Sequence, residues 1–171
     1  MTVILPAKQN DPLLEALVQK IGCERPEIVN VQPDNNLKVG YCWFNAYAKA
    51  NSIQNGEVIN GWAFWMIDTG IVAQHHAVCK IDGVMIDFTP NQAESDFILF
   101  SISDRHRYDY VNAKAYLSLL IDNSGYITIR DRNNQAVTPP NGIGPYRQIV
   151  SEEERSVIRR LVPHFMGSGI Q

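Results

Sequence analysis

Apolar positions follow a helical spacing near the start of the chain and a strand-like alternation through its middle. Leu13, Leu14, Leu17, Val18 and Ile21 form one stripe of a helix that Asp11 can cap and Pro12 can begin. Gly22 supplies the stop, because helices commonly end on a residue with positive φ. From Glu24 to Lys38 the chain is crowded with Pro, Asn and Asp and predicts a surface loop. The run from Gly40 to Ala50 then predicts a mostly buried helix of about three turns.

Two strand-like runs follow, Glu57 to Ile67 and Ile71 to Ile81, separated by Asp68-Thr69-Gly70. Asp82-Gly83 predicts a two-residue hairpin loop, since a type I′ turn needs positive φ at both central positions. It joins a third run, Val84 to Thr89, that Pro90 ends. A further strand is expected over Phe97 to Ile102. Tyr116 to Asp122 and Tyr126 to Arg130 read as another hairpin around Asn123-Ser124-Gly125, although the first of the two also fits a helix. Thr138 to Gly142 reads as a loop. A last helix is announced by the capping box Ser151 and Glu154, carries Val157, Ile158, Leu161, Val162 and Phe165 on one face, and ends or kinks at Pro163. Helix, loop, helix, antiparallel sheet, helix makes an α+β domain, with one helix packed on the sheet and a helix flanking each end.

No repeat or shift in composition divides the 171 residues, so a single domain over residues 1–171 is expected. A chain of this size buries about 70% of its unfolded surface and needs no disulfide staples. The cysteines Cys23, Cys42 and Cys79 are odd in number and unevenly spaced, which predicts free thiols in a reducing compartment. A net charge of −3 without a basic cluster argues against nucleic acid and anionic membranes as partners. No apolar run reaches the roughly 18 residues that span a bilayer, and the start lacks a signal-peptide pattern. The expected location is the cytoplasm, or outside the cell by a route without a cleavable signal.

The stretch from Gly40 to Pro90 carries candidate chemistry: a thiol at a helix start (Cys42), two imidazoles on a strand (His75, His76) and a carboxylate on the next strand (Asp87). A thiol attacks carbonyls as thiolate, which a nearby imidazole and a helix N-terminus both favour. The imidazole needs an acceptor on its other nitrogen to fix tautomer and orientation, a role Asp87 can fill. With a two-residue loop at Asp82-Gly83, opposed residues have numbers summing to 165, so Asp87 faces Val78 and lies diagonal to His76 on one sheet face. His75 points to the opposite face, among Ala73, Ala77, Cys79 and Ile86, and belongs to the core. A three-residue loop would reverse this parity and exchange the two histidines.

Gly-Tyr-Cys-x-x-Asn at the helix start, with His-Ala-Val-x-x-x-Asp-Gly-x-x-x-Asp on the strands, resembles the papain-like superfamily, above all its transglutaminase-like branch. The helix motif is also similar to that of arylamine N-acetyltransferases, and the size to small bacterial thiol amidohydrolases and effector deamidases. The likeness spans roughly Gly40 to Pro90. It implies Cys42 as nucleophile, His76 as general base and acid, and Asp87 as the orienting group. The papain-like pattern places an amide six residues before the Cys to help hold the oxyanion, which implies Asn36. Asn45, one turn after Cys42, is a candidate brace, and Trp43 and Trp62 are candidate substrate-binding aromatics.

The expected function is a cysteine hydrolase, peptidase or amidohydrolase, cleaving an amide through a Cys42 thioester. Side-chain deamidation and acyl transfer share its first steps, and a non-catalytic binding module of the same fold is the alternative from another class. The substrate expected is a protein or peptide, with a small amide also open. No cofactor is implied, because side chains alone perform this chemistry. His75, His76 and Cys79 form only a weak metal motif, since adjacent strand residues point to opposite faces. Arg105-His106-Arg107 reads as a solvated turn.

Overall fold

The computed structural model describes residues 4–110, 114–140, 142, 145–147 and 156. Among the described residues two helices lie against a sheet that accounts for most of the fold. Helix α1 (Pro12–Ile21) has the predicted punctuation: Asp11 Oδ1 accepts from the Leu13 N–H, and Gly22 (φ 71°) closes the helix by donating to Val18 O. Helix α2 (Cys42–Ser52) begins at Cys42 without a side-chain cap. Its buried residues include Cys42, Phe44, Asn45, Ala46 and Ala50.

The strands are β1 (Leu5–Pro6), β2 (Glu27–Val31), β3 (Gly56–Ile67), β4 (Gly70–Ile81), β5 (Val84–Asp87), β6 (Phe97–Ile102), β7 (Lys114–Tyr116), β8 (Ser118–Asp122), β9 (Ile127–Arg130), β10 (Ala136–Val137) and β11 (Pro145–Arg147). β11 and β7 form a separate ribbon, and the others run in the order β1-β3-β6-β2-β5-β4-β8-β9-β10. Because β3 also pairs with β4 along its whole length, five strands (β3, β6, β2, β5, β4) close into a barrel. The expected antiparallel sheet is thus corrected in two ways: it closes on itself, and β2 runs parallel to β5. The coarse architecture is a mixed α/β domain, mostly sheet.

Several boundaries move as well. The segment expected to be a loop between Glu24 and Lys38 contains β2, which buries only Val29 deeply. The β3–β4 turn has two residues, Asp68 and Thr69, because Gly70 (φ 151°) joins the ladder opposite Ile67. β5 ends at Asp87 rather than Thr89, and the strand expected from Tyr116 is interrupted at Leu117. The C-terminal helix and its capping box lie outside the described residues, apart from Ser156.

Alternation sorts the core into two layers. Val29, Ala63, Val78, Ile98 and Phe100 fill the barrel interior. Trp62, Phe64, Ile71, Ala73, Leu99 and Leu119 point outward and pack against Leu14, Leu17 and Ile21 of α1.

β4 changes neighbour midway. Residues 70–73 pair with β8 and 79–81 with β5, so Gln74 to Val78 has no strand partner on that edge among the described residues. Helix α2 packs on β3 and β4, and its first residue, Cys42, meets β4 within that gap, at His76.

Candidate functional site

Hairpin chemistry decides which histidine faces the carboxylate. Asp82 (φ 48°) and Gly83 (φ 86°) both take positive φ, and the β4–β5 register pairs Ile81 with Val84, Lys80 with Met85 and Cys79 with Ile86. Every pair sums to 165, as the two-residue loop requires. His76 and Asp87 therefore share the barrel-interior face, and His76 Nε2 donates to Asp87 Oδ2 at 2.8 Å. The second carboxylate oxygen, Oδ1, accepts from the Thr89 N–H at 2.9 Å. Both residues are buried.

Cys42 completes the row. Its side chain lies close enough to the His76 ring to act on it, while Nε2 of that ring is committed to Asp87. Burial alone would push the His76 pKa down, but the Cys42 sulfur and the Asp87 carboxylate together raise it well above 6.5. Cys42 is only 5% exposed, yet it and His76 both line a cleft of ≈ 290 Å3. The arrangement sets a sulfur beside an imidazole at the edge of a cleft.

Asn45 braces the row from behind. Fully buried, it donates through Nδ2 to Lys38 O at 2.9 Å and to Thr89 Oγ1 at 3.2 Å. It thereby links helix α2 to the residue that holds Asp87 Oδ1.

His75 occupies the opposite face, as alternation demands. The Tyr116 N–H donates to His75 Nδ1 at 3.3 Å, so Nε2 carries the proton and donates to His106 O at 2.6 Å. Burial pushes the His75 pKa down to about 4 despite the partial compensation from the His106 carbonyl. His106 is itself buried, with Nδ1 accepting from Trp62 Nε1 at 3.2 Å and lying 2.6 Å from Ser103 Oγ. That corrects the expected solvated turn, of which only Arg105 and Arg107 are exposed.

Two other expectations are corrected. Asn36 stays in an exposed loop, where its N–H closes an Asx turn onto Asp34 Oδ1, and it lines a separate groove with Lys49 and Phe88. It does not approach Cys42. Trp62 is fully buried on the outward face and takes no part in the cleft. Trp43 does line the cleft, stacked on Tyr108 at 4.7 Å. Its indole Nε1 is buried without a partner among the described residues.

Val72, Gln74 and Thr89 were not singled out in the sequence, although all three contribute to the cleft, as does Trp65. The signal was present: Val72 and Gln74 share the face of His76 by alternation, and a two-residue turn at Asp68-Thr69 sets Trp65 opposite Val72. Among the described residues no group of three His, Cys, Asp or Glu side chains could hold a metal, and no helix is long and apolar enough to cross a membrane. No family model matches the chain, and neither curated proteins nor solved structures gave a match.

Proposed function

We propose that the chain is a cysteine-dependent acyl-transfer enzyme that cleaves an amide bond, as a peptidase or amidohydrolase. The observation that carries this reading is the row Cys42–His76–Asp87, with His76 hydrogen-bonded to Asp87 and beside Cys42, opening on a cleft. Its order on helix, strand and strand also agrees with the papain-like, transglutaminase-like resemblance. The Cys42 thiolate adds to the carbonyl carbon, and the C=O electron pair moves onto oxygen. As the C–N bond breaks, His76 gives its proton to the departing amine and a thioester remains. His76, now neutral, takes a proton from water, whose oxygen displaces the sulfur and releases the acid. Asp87 holds the imidazole in the productive tautomer throughout. The oxyanion is met by the backbone N–H of Cys42, one of the N–H groups a helix start leaves without an intrahelical partner.

Alkylation by iodoacetamide across pH tests the row. Cys42 is expected to react on the acid side of neutrality. Cys23 and Cys79 should stay silent there, because burial raises both of their pKa values. His76→Ala should slow Cys42 at pH 6 by at least about tenfold. Equal, slow labelling of all three thiols would overturn the proposal. Mass-spectrometric capture of an acyl adduct on Cys42 from a peptide pool would then identify the reaction.

A further inference from the structure

Past the barrel mouth the β3–β4 ribbon runs on, and its inner face forms one wall of the cleft beside Cys42. That wall is built by Trp65, Ile67, Val72 and Gln74, with Ile4 joining Trp65 in the apolar cluster of the barrel core. Among the described residues no Lys, Arg, Asp or Glu lines the cleft, and its titratable groups are Cys42, His75 and His76. The volume of ≈ 290 Å3 lies at the lower end of small-ligand pockets, room for a side chain rather than a folded segment.

We infer that this wall forms the specificity pocket for the acyl side of the substrate, and that it selects a single neutral, largely apolar side chain. The inference rests on the proposed function, since it places the reacting carbonyl at Cys42. Against this wall a charged side chain would leave water without meeting a Lys, Arg, Asp or Glu, since the charges of Cys42 and His76 are engaged with each other, and an uncompensated charge is excluded far more strongly than a surplus methylene. An apolar chain meets Trp65, Val72 and Ile67, while the Gln74 amide serves the polar backbone or an amide-bearing tip.

N-acetyl-aminoacyl chloromethyl ketones test the pocket without presuming hydrolysis, deamidation or transfer. The sulfur displaces chloride from the methylene carbon to give a thioether, whatever the natural acceptor is. Norleucine, phenylalanine, lysine and glutamate derivatives are compared by second-order inactivation rate, with the iodoacetamide rate of Cys42 as the measure of the nucleophile itself. Norleucine and phenylalanine should inactivate at least about 100-fold faster than lysine and glutamate. Val72→Asp should raise the lysine rate relative to norleucine by about tenfold or more, and Gln74→Glu supplies the same charge test if that variant does not fold. Rates within about threefold across the series, or a preference for a charged derivative, with iodoacetamide reactivity intact, would overturn the pocket and leave the proposed function standing. So would a lysine rate that neither acidic variant moves. Slow and equal iodoacetamide labelling of all three cysteines would overturn both.

Discussion

His75 and His76 are neighbours in sequence, yet their surroundings drive their protonation in opposite directions. His76 has an anion on one ring nitrogen and a sulfur for the other, and its pKa is raised. His75 has a peptide N–H and a peptide carbonyl, and burial lowers it to about 4. A histidine neutral in the folded state but protonated near 6.5 when unfolded withdraws stability as pH falls through 6.5 toward its folded pKa. Between pH 7 and pH 5 the loss from His75 is about 2 kcal/mol. His106, also lowered, acts in the same sense, and His76 in the opposite one. Comparison with His75→Gln isolates the residue: the stability gap between wild type and variant at pH 7 should shrink by about 2 kcal/mol at pH 5 in urea unfolding. A constant gap would mean that His75 is not held neutral.

Among the elements, two glycines differ in what they permit. Gly83 takes φ 86° in the hairpin loop, and a Cβ there meets nothing within 4 Å. Gly83→Ala therefore carries only the left-handed backbone penalty, about 1 kcal/mol, and should keep the register and the reactivity of Cys42. Gly61 lies in β3 opposite both His76 and Ile102, where a Cβ would overlap the Ser101 carbonyl oxygen. Gly61→Ala must part β3 from β6 and should destabilise by about 3 kcal/mol, with loss of Cys42 reactivity. Urea midpoints and the alkylation rate separate the two variants. The hairpin that sets His76 against Asp87 was legible because Asp-Gly has one favoured turn, and turn length fixes parity. The helix starting at Cys42 was legible from its apolar spacing. β2 was not, since one deeply buried residue in five gives no alternation to detect among Pro and Asn neighbours. Nor was barrel closure, because the parallel β2–β5 pairing joins Asn30 to Ile86, far apart in the chain, through backbone bonds that carry no side-chain signature. Asn36 failed for a similar reason: counting six residues back from Cys42 measures chain length and not the path of a loop turned away by Asp34.

The barrel interior departs at His76 and Asp87 from what would stabilise the whole molecule most. Val29, Ala63, Val78, Ile98 and Phe100 make the barrel interior apolar, and His76 with Asp87 interrupts it with a buried ionisable pair. Desolvating two such groups offsets most or all of their attraction, so the pair contributes little net stability even though breaking it is expensive. Folds depart from their own apolar pattern mainly where function requires it. Two variants measure that departure. Asp87→Leu leaves His76 buried without its anion and removes the acceptor of the Thr89 N–H, and should destabilise by about 3 kcal/mol or more. Adding His76→Leu removes the orphaned imidazole and fills its space with hydrocarbon. The double variant should recover the part of the loss due to the orphaned imidazole, about 1–2 kcal/mol in urea unfolding, and keep the cost of the unpaired Thr89 N–H, while its Cys42 loses its enhanced alkylation rate. A double variant less stable than Asp87→Leu alone would show instead that the pair holds the barrel together. The closed barrel would then need His76 and Asp87 for its own stability, and their burial would cease to point to chemistry.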